Sequence, residues 1–180
     1  MKNFLSRYIF RNFEYDLWTL ELPYMLATAA LGVINHFLYD LTGGSALIAL
    51  FCPINESIWE HLKLLFFPFL FVTLIMSRQH RTRILSFFYC HFLGVFSGML
   101  FIVTVFFTYT GVLGPDLFIV DILIYLASIW LAFSLAAYYR QKKTVPPSQN
   151  IVFSLWIITS LLFFVFTCFP PNIPLFFPIS

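Results

Sequence analysis

Charge is what this sequence lacks. Of its 180 residues only 10% are Asp, Glu, Lys or Arg, while 61% are hydrophobic and mean hydropathy is +0.89. A soluble domain of this size carries about 25% charged residues, because its surface must face water. Too few polar groups are present to cover a globule, which excludes an ordinary soluble domain and points to a small polytopic membrane protein. Basic runs and basic faces are also lacking, so no nucleic-acid partner is implied. Cysteine is scarce: Cys52, Cys90 and Cys168 form an odd, scattered set without the C-x-x-C spacing of a metal site. They read as small core- or lipid-facing residues. A cleavable leader pattern is missing too. Acidic Glu14, Asp16 and Glu21 precede the first apolar segment, and the A-x-A-like triplet Ala27–Thr28–Ala29 lies inside that segment.

What is present is long apolar runs. Five segments approach the roughly 20 residues needed to cross a bilayer: Leu22–Leu41, Ile54–Met76, Ile84–Tyr109, Leu117–Tyr139 and Ile151–Phe169. The expected fold is all-α, a bundle of five spanning helices over residues 22–169. Residues 1–21 place Phe4, Tyr8, Phe13 and Leu17 at roughly helical spacing and read as an amphipathic interfacial helix. Residues 170–180 read as a Pro-rich tail. A sixth run, Ala46–Phe51, is too short to cross and reads as a re-entrant or interfacial turn.

Lys and Arg placement orients the bundle. Lys2, Arg7 and Arg11 precede the first span; Arg78, Arg81 and Arg83 join the second and third; Arg140, Lys142 and Lys143 join the fourth and fifth. With five spans all three clusters fall on one side, expected to be cytoplasmic. The loops of the other side contain no basic residue. The expected location is the plasma membrane, with the N-terminus cytoplasmic and the C-terminus extracytoplasmic.

The tenth basic residue, Lys63, lies in Pro53–Phe69, "PINESIWEHLKLLFFPF", where the costly side chains concentrate. Pro53 ends the preceding run and Asn55 suits an N-cap, so the second helix is expected to begin near Asn55 with Glu56 in its first turn. Glu56, Glu60 and Lys63 then share one face, and Ser57, Glu60, His61 and Leu64 an adjoining arc. Ionisable residues cost about 2.5–3.5 kcal/mol each at the centre of a membrane helix, so four within eight residues read first as a functional site. The bland alternative has Glu60 and Lys63 neutralising each other, Glu56 capping and His61 bonding a neighbour. Pro68 is expected to kink the helix below the cluster.

Other spans offer partners at similar depth. His36 and Asp40 lie one turn apart near the end of the first span, beside Asn35, and Asp121, Tyr125 and Ser128 stripe the start of the fourth. Imidazole plus carboxylate is the ligand set of a divalent metal such as zinc, and equally that of a proton or cation relay. The candidate assignments are Glu56, Glu60 and His61 for catalysis; Lys63, Asn55 and Trp59 for substrate; and His36, Asp40, His61 and Asp121 for metal. His91, on the stripe of Gly94 and Gly98, reads as an interhelical contact, since a G-x-x-x-G pattern permits close helix approach. Ser57 and His61 at i, i+4 could also mimic a nucleophile and its base.

The run His36–Phe69, "HFLYDLTGGSALIALFCPINESIWEHLKLLFFPF", closely resembles the hallmark region of a family of uncharacterised integral membrane proteins, mostly from low-GC Gram-positive bacteria. That signature is approximately HFLY-[DE]-x-x-G-G followed by P-[VI]-N-E-S-x-W-E-H-x-K-L. "YTGVLG" (Tyr109–Gly114) with Asp121, and "FPPNIPLF" (Phe169–Phe176), look like its later landmarks. The resemblance carries no activity with it. It implies that the His36–Asp40 pair and the Glu/His/Lys block belong to one signature.

Three functions compete. The first is a metal-assisted hydrolase or transferase acting on a lipid or lipid-linked substrate near the outer leaflet, with Glu60 or Glu56 as general base and Lys63 anchoring an anionic headgroup. The second is a component of a proton- or cation-coupled transporter or channel; an odd span number without an inverted repeat counts against it. The third is an accessory subunit whose charged cluster is structural or contacts a partner protein.

Overall fold

The computed structural model describes residues 21–78, 84–114 and 116–178. Six α-helices follow in order: α1 Leu22–Leu41, α2 Ala46–Ala49, α3 Ile58–Ser77, α4 Ile84–Leu113, α5 Phe118–Gln141 and α6 Gln149–Cys168, then a 3₁₀ turn at Pro174–Phe176. Five of them are long and apolar enough to span a membrane. The protein is an all-α, multi-pass membrane bundle. The amphipathic segment at Phe4–Leu17 and the basic residues Lys2, Arg7, Arg11, Arg81 and Arg83 lie outside the described residues.

The elements begin and end where local chemistry says they should. Pro23 opens α1, where its missing N–H costs nothing. Gly43 and Gly44, both at positive φ (68° and 77°), turn the chain out of it at little steric cost. Pro68 stays inside α3, which runs unbroken around it. Serine and threonine hydroxyls along the spans, among them Thr28, Ser97, Thr110, Thr159 and Ser160, donate to the carbonyl four residues earlier. No hydroxyl of that set has to face lipid unpaired.

Helix α3 is the axis. In its most apolar stretch 61% of residues are buried, against 17% for both α1 and α6, which flank the bundle. The tightest seam joins α4 to α5. A Cβ at Gly94 would collide with the Ala132 carbonyl, and one at Gly98 would lie 3.0 Å from the Ser128 carbonyl. The G-x-x-x-G stripe is therefore spent inside the chain. His91, fully buried on that stripe, bonds the Phe87 carbonyl through Nδ1 (2.9 Å), and its ring lies 5.8 Å from that of Phe69 on α3. It is an interhelical contact, as its place on the stripe suggests.

The helices run up and down, and side-chain ties mark the two ends. At one end Arg140 pairs with buried Glu21 and stacks over Phe87, while Ser86 Oγ donates to the Thr144 carbonyl. This is the basic end, where Arg78, Lys142 and Lys143 also lie. At the other end, the motif end, α2 and its flanking turns fold back over α3. The chain after α6 returns to the same place: Ser57 pairs with Pro178 in an isolated antiparallel bridge. Trp59 packs against Phe163, Phe166 and Phe176 with ring centroids 4.8–5.4 Å apart.

Candidate functional site

The start of α3 corrects the sequence expectation and decides the site. The helix is capped by Ser57 and begins at Ile58, so Glu60, not Glu56, lies in its first turn. Ser57 Oγ accepts the Glu60 N–H (3.3 Å), while Asn55 Oδ1 accepts the Ser57 N–H (2.9 Å). Asn55 thus makes a local turn that delivers the chain to its cap. Ser-x-x-Glu is the sequence signature of such a start, and it outranked Asn55. Glu56 consequently precedes the helix and does not share the Glu60–Lys63 face.

The ionisable groups placed at similar depth do not converge on one site: Glu60 lies in one cluster, His36, Glu56 and His61 in another, and Asp40 and Asp121 in neither. The first is sealed. Glu60 and Lys63 side chains are 3% and 0% exposed and pair at 2.7 Å. Lys63 Nζ also donates to the carbonyls of Ala49 (2.9 Å) and Cys52 (3.2 Å). Ala49 ends α2, where a helix presents unpaired carbonyls to a cation. Glu60 Oε2 accepts the Ile54 N–H as well, and Oε1 accepts the hydroxyl of Thr167 on α6 (both 3.0 Å). Every proton of the ammonium and both carboxylate oxygens are engaged. Next to it, Asn35 on α1 donates to the Phe51 carbonyl and accepts the Cys52 thiol. Burial pushes the Cys52 thiol up, against the lesser pull of Lys63, which keeps it a neutral donor.

The second cluster is open. Each of His36 on α1, Glu56 on the turn and His61 on α3 offers a ligand atom, and the three atoms lie within 4.8 Å of one another. His61 is 27% and Glu56 62% exposed, with Nε2 3.2 Å from Glu56 Oε2. The other ring nitrogen, Nδ1, lies 2.9 Å from the Ser57 carbonyl, which can only accept. That bond assigns the neutral-ring proton to Nδ1 and leaves the Nε2 lone pair facing a carboxylate. Two acceptors then oppose each other unless a proton or a metal cation lies between them. The His36 ring sits edge-on to His61, centroids 5.4 Å apart. Tetrahedral zinc with bonds of ~2.1 Å places its ligands ~3.4 Å apart, so side-chain rotation of about an ångström would close the set. A backbone carbonyl holding the far nitrogen of a ligating imidazole is the usual second support of such a site.

Asp40 and Asp121 do not belong to this group. Asp40 is exposed beyond His36, and Asp121 accepts the hydroxyl of Tyr109 on α4. Tyr125, one turn along from Asp121, points its hydroxyl to the Thr28, Ala29 and Leu64 carbonyls, 3.3–3.5 Å away. Trp59 lies in the aromatic clasp with the returning tail. Ser57 Oγ is occupied as a cap, and His61 faces its carbonyl and not its hydroxyl, so the two do not form a nucleophile and base. Residues 11–179 match a family of unknown function (DUF6512).

The chain belongs to the DUF6512 family.

No curated protein and no solved structure matches it. For this DUF6512 member the reading of function therefore rests on the open cluster's own geometry.

Proposed function

We propose that this DUF6512 protein holds a divalent cation, zinc by its donor set, between His36, Glu56 and His61, and uses it for metal-assisted hydrolysis or group transfer on a lipid or lipid-linked substrate at the outer leaflet. The observation that carries the reading is the orientation of His61. Its Nδ1 is committed to the Ser57 carbonyl, so Nε2 of the neutral ring meets Glu56 as a lone pair, a contact that a metal cation satisfies as a proton does. Two imidazoles and one carboxylate make a three-residue donor set, the number typical of catalytic zinc sites, where structural sites use four. Held by these residues, such a cation would supply Lewis acidity and a water acidified toward neutral pH as the nucleophile. Glu56 acts here as a ligand. Glu60, turned away into Lys63, positions the turn and does not reach the ion.

The outer-leaflet placement follows from charge: the motif end is opposite the basic end, and Lys/Arg-rich ends face the cytoplasm. In the plasma membrane this leaves the N-terminus inside and the tail outside. Elemental analysis of detergent-purified protein tests the metal. Stoichiometric zinc or another transition metal in the wild type, lost in His36→Ala and His61→Ala, is expected. Protein that stays metal-free after dialysis against Zn²⁺ overturns the reading. Orientation is tested by impermeant thiol reagents on intact cells, which should label a cysteine placed at Ser45 or Ser180 and not one at Thr144.

A further inference from the structure

The sealed pair and the open cluster share one stretch of backbone, Glu56–Lys63. Glu56 reaches His61 only because the turn that carries it is held down, and the holding is done from the other face of α3. Lys63 ties the turn at Ala49 and Cys52, and Glu60 ties it at Ile54, two residues before Glu56. Thr167 extends the tie to α6 through Glu60 Oε1. Among these bonds none involves His36, Glu56 or His61. We infer that Glu60 and Lys63 are positioning residues for the metal site, fixing the carboxylate of Glu56 against the two imidazoles without touching the ion. The inference rests on the metal reading above and assigns its supporting structure.

The physical case is one of proximity: Asn35 and the Phe51 ring hold the turn farther back, at Phe51 and Cys52, whereas the Glu60 bond to Ile54 is the side-chain tie nearest to Glu56 on its N-terminal side. Between Gly44 and Ser57 the chain contains one helical turn and no other regular element, and Glu56 itself is exposed. A carboxylate on a loose turn would sample many positions, and each ligand that must be ordered at binding weakens the site. Outer partners bonded directly to metal ligands change affinity by about tenfold to a hundredfold when removed, which sets the scale for ties that act one step farther out.

The test is a competition titration of Zn²⁺ on the full chain in detergent. Glu60→Met with Lys63→Met removes the ties while leaving no unpaired buried charge. This double variant should bind zinc about tenfold to a hundredfold more weakly than wild type. Phe133→Leu, a buried core change on α5 remote from the turn, serves as the control for general loss of stability and should bind as wild type does. Equal affinity in the double variant overturns the inference, as does an equal loss in the control. Should the double variant fail to fold, Thr167→Val removes only the α6 tie to Glu60. Weaker zinc binding is then expected, and unchanged binding overturns the inference. A wild-type protein that binds no zinc overturns the metal reading itself, an outcome distinct from tight binding that the ties do not affect.

Discussion

Glu56 and Glu60 stand four residues apart, each paired with a cation-forming side chain, and they have opposite fates. Glu60 is 3% exposed and accepts from an ammonium, a backbone N–H and a hydroxyl; Glu56 is 62% exposed and faces a single imidazole nitrogen. The difference follows from the cap. Because α3 starts at Ile58, Glu60 is aimed by the helix toward the folded-back turn, whereas Glu56 is aimed by the turn toward α1. A carboxylate with both oxygens engaged inside the protein is scaffold. One with capacity to spare beside two imidazoles is available to a ligand.

The largest effect that separates the two pairs is on stability. Lys63→Met leaves the Glu60 carboxylate buried without its charge partner, and breaking a buried pair from one side costs about 3–5 kcal/mol. Adding Glu60→Gln should recover part of that loss, because the stranded charge is removed. Denaturation in detergent reads both numbers. A double variant that is only additively worse would show that the residues do not act as a pair, and the contrast with Glu56 would lose its basis.

A smaller effect tests the open side. A cation that binds only the folded protein stabilises it by about 2.7 kcal/mol at a hundred times its dissociation constant. Zn²⁺ should therefore raise the melting temperature of wild type, and His36→Ala or His61→Ala should abolish the increment while melting close to wild type without metal. If either histidine variant melts well below wild type in the absence of metal, the open cluster is scaffold as well.

How far these two fates were legible in the sequence depends on what each required. The spans were legible because apolar length alone decides them, and the first came out with its observed limits, Leu22–Leu41. The short run Ala46–Phe51 was recognisably unable to cross. That its carbonyls would turn back onto Lys63 was not legible, since it depends on where a loop folds. Depth along a helix could be read, but direction around it could not: Asp121 was placed at the right end and proved to face Tyr109. The start of α3 was readable in principle from Ser57-x-x-Glu60. Pro53 followed by Asn55 gave a competing signal, and a shift of about three residues turns a side chain by ~300°. That shift separates Glu56 from Glu60.

The smallest expected effect is the sharpest. Glu56→Gln without metal should change stability by less than about 0.5 kcal/mol, the range of surface substitutions away from special features, since an exposed pair is worth about 0–1 kcal/mol. The sign is informative. With His61 neutral a carboxylate opposes its Nε2 lone pair, whereas a glutamine amide can donate to it, so at a pH where the ring is neutral the metal-free variant should be unchanged or slightly more stable than wild type. The same substitution removes an anionic ligand, so the stabilisation by Zn²⁺ should fall with it. Equilibrium denaturation of both proteins, with chelator and with Zn²⁺, gives the four values needed. A loss above about 1 kcal/mol in chelator would place Glu56 in the scaffold beside Glu60. An undiminished zinc increment would remove it from the ligand set, leaving His36 and His61 to hold the ion without it.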